Sequence, residues 1–365
     1  MIIQLQNALF ILVAIFMYGH CLHEDFRPCQ KVALDEEVVM NITTKILKII
    51  PWTKIRDGFP FLFVHPKTNM SAILCLPEKV ASTTWKSLFI KTLEYNLFET
   101  QIRKGVDPHF VRFNETKNVL NPRSARIIAN AILDPNIPRI MFTRDPYSRA
   151  LSGYADKVAD TTESPFDFHP GLGKSASFFE FTQYLFDHSP LNEHFQRLTD
   201  RCMLPMGMRY DYYLKIETMP QWYEPLIDML DLRDEASWGW DYTSYWRPAI
   251  NGETPDKCFY TPPGKTCKDM FNYPAPESKA IHTVQRRMNE QKEKVIHVKN
   301  SGTKLKQYYN ETSVKRITTY AKCDLLAFGY PEWDGTNAES YIRSVHKLPV
   351  TTNTDQKFGC YVDNC

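Results

Sequence analysis

Two short segments, 65 residues apart, each join an apolar strand to an amphipathic helix through a turn rich in basic or hydroxyl-bearing residues. The first runs Ala72-Ile-Leu-Cys-Leu76, then Pro77-Glu-Lys79-Val-Ala-Ser82-Thr83-Thr84, with a helix expected to open at Trp85. The second runs Arg139-Ile-Met-Phe-Thr143, then Arg144-Asp145-Pro146, with a helix that carries Ser152. A strand that feeds a helix N-terminus aims backbone N–H groups and the positive end of the helix dipole at one point, which suits a phosphate or sulfate. Two such points predict a ligand with anionic groups at two places.

In the first helix, Trp85, Leu88, Phe89, Thr92 and Leu93 recur at helical spacing and form one apolar stripe, with Lys86 directed away from it. Thr83 or Thr84 is expected to cap it. Ser82, Thr83 and Thr84 then set hydroxyls beside the first N–H groups, with Lys79 above them. A lysine there can neutralise charge on a departing oxygen; the plainer reading is a capped helix with an exposed lysine. The turn is not a Walker A loop, because no glycine lies between Gly58 and Gly105. In the second segment Asp145 can cap and Pro146 suits the first helical position. Tyr147, Leu151, Tyr154 and Val158 form the buried stripe, while Arg149, Ser152 and Asp156 share another face. Arg144, at the strand's C-terminal end, stands where open α/β sheets bind ligands and can grip a phosphate bidentately. Surface pairs of Arg144 with Asp156 or of Arg149 with Asp145 are the plainer alternative.

A net charge of +2 does not mark a nucleic-acid partner, so anion recognition must be local. The apolar run from Ala8 to Tyr18 reads as a signal peptide cleaved after Cys21 or as an uncleaved anchor; both take the chain into the secretory pathway. That segment is the expected membrane contact. Sequons at Asn41, Asn69, Asn114 and Asn310 agree with this compartment. So do nine cysteines, of which cleavage would leave an even number for disulfides. Cys258–Cys267 and Cys360–Cys365 are plausible local pairs, and with no zinc spacing among the cysteines and histidines no metal is expected.

Alternating strands and helices predict an α/β fold, a P-loop-like parallel sheet flanked by helices, with loop-rich C-terminal excursions. The expected organisation is a leader over 1–21, a stem or lead-in over 22–60 with Val38, Ile42, Ile46 and Ile49 at helical spacing, a main domain over 61–330 and a weakly structured tail over 331–365. A helix is expected near Ser124–Leu133, loops over 161–174 and 241–278, and polar helices at His282–Val298 and Glu311–Lys322.

Taken together, these segments resemble the Golgi carbohydrate sulfotransferases. Lys79-Val-Ala-Ser-Thr-Thr-Trp85 is similar to their 5′-phosphosulfate loop, and Arg144-Asp-Pro-Tyr-Ser-Arg-Ala-Leu-Ser-Gly-Tyr-Ala-Asp-Lys157 to their 3′-phosphate motif. Asn192-Glu-His-Phe195 with Cys202 and Tyr210-Asp-Tyr-Tyr-Leu-Lys-Ile-Glu-Thr218, and the ending Asp324-Leu-Leu-Ala-Phe-Gly-Tyr330, resemble the chondroitin/dermatan branch. The resemblance implies 3′-phosphoadenosine 5′-phosphosulfate as donor and a glycan hydroxyl, glycosaminoglycan-like, as acceptor. It implies that Lys79, Val80, Ala81, Ser82, Thr83 and Thr84 hold the 5′-phosphosulfate, with Lys79 stabilising the leaving phosphate, and that Arg144 and Ser152 hold the 3′-phosphate. Three positions depart from the family: Glu78 separates Pro77 from Lys79 and sets a negative charge beside the turn, Thr84 replaces a common Asn, and Phe195 a common Trp. A secreted glycan-binding relative without turnover is the alternative.

Transfer to a sugar hydroxyl calls for a general base, most often a histidine. His194 is the first candidate, His65 the second and Glu193 the third. Lys157, Arg197, Arg201 and Arg209 are candidates for a basic wall against the acceptor, and the aromatics from Trp238 to Trp246 for stacking on sugar faces.

Overall fold

The computed structural model describes residues 58–102, 131–159, 176–188, 192–236 and 301–352, apart from the single positions 59, 133, 135 and 207, together with positions 108 and 111. The chain divides into two units, Met1–Ile49 and Ile50–Cys365, and every described residue belongs to the second. The leader, nearly all of the lead-in, the loops at 161–174 and 241–278, the aromatics from Trp238 to Trp246 and the polar helix at 282–298 lie outside the described residues. Of the helix expected near Ser124–Leu133, Ala131 and Ile132 are described, and both are helical.

Five strands form one sheet in chain order: β1 (Pro60–Val64), β2 (Ser71–Cys75), β3 (Arg139–Thr143), β4 (Tyr212–Lys215) and β5 (Thr351–Thr352). β2, β3 and β4 run parallel, which is the expected core of an α/β sheet. The two edges are antiparallel. β1 reaches β2 through a short turn, and only an antiparallel partner can be joined that way. β5 comes from the segment expected to be a weakly structured tail. That segment also holds helix α10 (Ala338–Val345), whose Tyr341 and Val345 are buried.

Helix α1 (Ser82–Leu93) follows β2, and every residue in it except Thr83 is buried, Lys86 included. The apolar stripe is thus the centre of a helix covered almost all round. Trp85 packs against Phe89, Phe142 and Trp222 with ring centroids 5.0–6.2 Å apart, joining α1 to β3 and to helix α5 (Met219–Met229). Aromatic contacts of this kind add to the area term that dominates core stability. Helix α3 (Pro146–Lys157) follows β3 and packs on α4 (Phe178–Asp187), α7 (Ser301–Tyr308) and α8 (Glu311–Tyr320). The remaining helices are α2 (Tyr95–Thr100), α6 (Arg233–Ala236) and α9 (Lys322–Phe328). Among the described residues no helix is long and apolar enough to cross a membrane.

Cys75, the last residue of β2, is disulfide-bonded to Cys202, a pairing the sequence spacing did not single out. Cys202 also donates its backbone N–H to the Gly58 carbonyl, at 2.9 Å. The bridge spans 127 residues and ties the start of the first turn to the 192–206 segment. Closing so long a loop removes much entropy from the unfolded chain. Cys75→Ala/Cys202→Ala should therefore lower unfolding free energy by about 2–5 kcal/mol, read from denaturant midpoints without reductant.

A candidate anion-binding site at two basic turns

The parallel strands β2, β3 and β4 end side by side, with Cys75 level with Met141 and Thr143 level with Lys215. Their following turns therefore open on the same edge of the sheet, the edge where α/β folds bind ligands. At the first turn Lys79 and Ala81 adopt left-handed backbone, with φ of 66° and 61°. Non-glycine residues enter that region at a cost of about 1–3 kcal/mol each and stay there only when their surroundings hold them. Alternating left-handed residues also turn successive N–H groups to one side, the geometry of an anion-binding nest. Ala81 is the N-cap, so α1 starts at Ser82, one turn earlier than expected, and Thr83 and Thr84 lie inside the first turn rather than capping it.

Three arginines hold this turn. Arg149 Nε donates to the Glu78 carbonyl at 3.0 Å, and Arg144 Nη1 to the Lys79 carbonyl at 2.8 Å. Arg201 Nη2 bonds the Glu78 carboxylate at 2.7 Å, and Arg201 Nη1 reaches Gln196 Oε1 at 2.7 Å. Glu78 is 2% exposed, so its negative charge is spent on Arg201 within the protein. Gly58 allows this: a Cβ there would lie 2.2 Å from Arg201 Nε. The Lys79 ammonium bonds the Asp156 carboxylate on α3, and Lys157 Nζ lies 3.1 Å from the same carboxylate. Burial pulls Lys79 below the ordinary lysine value; Asp156 opposes that, while Lys157 and Arg144 add to it.

At the second turn Asp145 caps α3 by accepting from Ser148 N at 2.8 Å, and Pro146 takes the first helical position, as expected. Arg144 is half-buried and faces Glu217 and Asp145. Neither surface pair considered for Arg144 and Arg149 forms: Asp156 holds Lys79, and Asp145 holds Ser148 N and the Tyr341 hydroxyl, the latter at 2.6 Å. Glu217 accepts from Asp145 N at 2.9 Å and from the Tyr330 hydroxyl at 3.1 Å. Burial raises its carboxyl to about 7, Asp145 adds to the rise and Arg144 opposes it. Ser152 is half-buried on the α3 face that also carries Arg149 and Asp156.

The base candidates fall in different places. His65 caps the β1–β2 turn, where its Nδ1 accepts from Lys67 N and Thr68 N, both at 3.3 Å. It therefore sits beside Ser71, at the opposite end of β2 from the Lys79 turn, about 13 Å away along the strand. His194 is half-buried, with Nδ1 3.0 Å from Asn192 Oδ1. It lines a depression with Pro146, Arg149 and Ala150 of α3, and with Tyr320 and Asp324, whose lining omits Lys79 and Arg144. Glu193 is 43% exposed and lies 3.5 Å from Arg201. Phe195 is buried against Phe181, and Gly153 gives its ring room: a Cβ there would be 3.1 Å away. Among the described residues each cation considered for the basic wall has a partner. Lys157 pairs with Asp156, Arg197 with Asp200 at 2.9 Å and Arg201 with Glu78, while Arg209 donates to its neighbour's carbonyl.

Glu217, Tyr330 and Tyr341 carry much of the second turn's chemistry, yet none was a site candidate. Glu217 and Tyr330 lie in the family-like segments Tyr210–Thr218 and Asp324–Tyr330, whereas Tyr341 lies outside them. Two outcomes follow. Arg201→Ala would remove the guanidinium bonded to the buried Glu78 carboxylate and should cost about 3–5 kcal/mol of stability, measured by urea unfolding. For Glu217, the folded protein keeps a proton that the unfolded chain releases between 4.5 and about 7. Stability should therefore fall as pH rises through that window, by up to ~1.4 kcal/mol per unit, and level off above it. Glu217→Gln should flatten that slope in urea midpoints taken from about pH 5 to about pH 8.

The sulfotransferase family profile matches residues 62–250, just over half of the chain, and this stretch contains both turns, α3 and β4. No curated protein and no solved structure matches the chain. The matched segment and the α/β sheet with its two basic turns agree, and the chain belongs to the sulfotransferase family.

Proposed function

We propose that this protein is a carbohydrate sulfotransferase that moves a sulfuryl group from 3′-phosphoadenosine 5′-phosphosulfate to a glycan hydroxyl, with chondroitin-like chains as the acceptor class. The observation that carries the reading is the contact of the two turns: Arg144 of the second donates to the Lys79 carbonyl of the first. Two anion-suited turns thus form one site, which matches a donor with a phosphosulfate at one end and a phosphate at the other.

The residues present fit such a donor. The left-handed Lys79 and Ala81, the start of α1, and the hydroxyls of Ser82, Thr83 and Thr84 suit the phosphosulfate. Arg144 and Ser152 suit the separate phosphate. Sulfuryl transfer resembles phosphoryl transfer in placing nucleophile and leaving oxygen in line, so positioning and charge stabilisation carry the catalysis. The acceptor oxygen bonds to sulfur as the bond from sulfur to the 5′-phosphate oxygen breaks, and Lys79 stabilises the charge left there. The acceptor hydroxyl's proton is assigned to His194. Its Nδ1 lies 3.0 Å from Asn192 Oδ1, a contact that orients the ring.

A lumenal location in the secretory pathway, with the Golgi as the proposed site, is supported by three features. The leader is apolar and short, Cys75 and Cys202 are paired, and Asn69 and Asn310 of two sequons are exposed. Calorimetric titration of the purified chain with 3′-phosphoadenosine 5′-phosphate should show micromolar binding that Arg144→Ala/Ser152→Ala abolishes. No binding by a well-folded wild type would overturn the enzyme reading and leave a non-catalytic binding module.

A further inference from the structure

Asp156 joins two cations. Its carboxylate bonds Lys79 from the first turn and lies 3.1 Å from Lys157, its neighbour on α3. Both groups at the first contact are mostly enclosed, Lys79 at 12% and Asp156 at 19% exposure, while Lys157 is more open at 29%. Among the described residues the other charges near the ammonium do not compete for it: Arg144 is a like charge bonded to the Lys79 carbonyl, and Glu78 is bonded to Arg201. Arg149, on the same helix face as Asp156, is held by the carbonyls of Glu78 and Gln196. Asp156 is thus the carboxylate in contact with the lysine that must meet the donor.

Such a contact has two opposed consequences. It opposes the lowering of the lysine's pKa by burial, and it occupies the ammonium that an incoming anion needs. The second cation resolves the conflict, because a buried carboxylate abandoned by one partner is costly unless another remains. We propose that Asp156 is a positioning residue that parks Lys79 in the free enzyme and hands its charge to Lys157 when the donor's 5′ anionic group takes the lysine. This rests on the reading of Lys79 as the donor lysine, and the test separates the two.

The probe is 3′-phosphoadenosine 5′-phosphate, titrated into the full chain. Asp156→Asn removes the competitor and should bind about five-fold tighter at neutral pH; Lys157→Ala removes the second partner and should bind about five-fold weaker. In the Asp156→Asn background, Lys157→Ala should have no further effect, since the lysine acts through the carboxylate. The alkaline limb of binding should move to lower pH in Asp156→Asn, because Lys79 loses the charge that holds its proton, and Asp156→Glu should restore it. Unchanged or weaker binding by a folded Asp156→Asn variant would overturn the proposal, as would a Lys157→Ala penalty that persists without Asp156. If Asp156→Asn fails to fold, Lys157→Ala still decides: binding equal to wild type overturns the proposal. A folded wild type that binds no probe overturns the donor reading itself.

Discussion

The guanidinium groups that grip the backbone of the first turn are the constraint on which the site depends. Left-handed backbone at Lys79 and Ala81 is unfavourable for residues that carry a Cβ. It is sustained because Arg149 and Arg144 hold the carbonyls of Glu78 and Lys79, while Arg201 holds the Glu78 side chain. A glycine-rich loop reaches such a shape by shedding side chains. This chain reaches it by fastening the loop from outside, with donors from the second turn, from α3 and from the segment bridged to Cys75.

The second turn depends on a different balance. Arg144, Asp145 and Glu217 lie together, Asp145 buried and the other two half-buried, and the two carboxylates would repel one another without the cation beside them and the hydroxyls of Tyr330 and Tyr341. Burial of charge at this density is tolerated where each group finds partners, and here the partners come from four separate stretches of chain. Asp324 plays a comparable part nearby, accepting from Leu198 N, Thr199 N and the Thr199 hydroxyl. The segments of the sequence that resembled a family beyond the two turns therefore do structural work around the site.

The centre of the fold was legible because its signals are local. Apolar runs in β2 and β3, the stripe from Trp85 to Leu93 and the Asp145-Pro146 start all follow from neighbours in the chain. The edges were not legible, since β5 is two residues long and takes its identity from pairing with β4. Left-handed backbone at Lys79 and Ala81 was hidden for the same reason: its cause lies in arginines far along the chain. The Thr-rich start of α1 read as a cap, yet the turn at Ala81 made a side-chain cap unnecessary. Glu78 read as an intruding charge because Arg201, 123 residues on, could not be seen beside it. His65 stood as a base candidate, whereas the antiparallel pairing of β1 with β2 sets it at the end of β2 away from the Lys79 turn.

Tyr341 reaches back to the second turn and β5 to β4, where Lys215 donates to the Pro349 carbonyl just before β5. During synthesis the basic turns leave the ribosome long before these last elements exist. Asp145 then has no Tyr341, and β4 lacks β5 on its edge, until those later residues are made. The site is accordingly assembled late, and a chain cut short after Tyr330 would keep both basic turns while lacking the residues that close over the second.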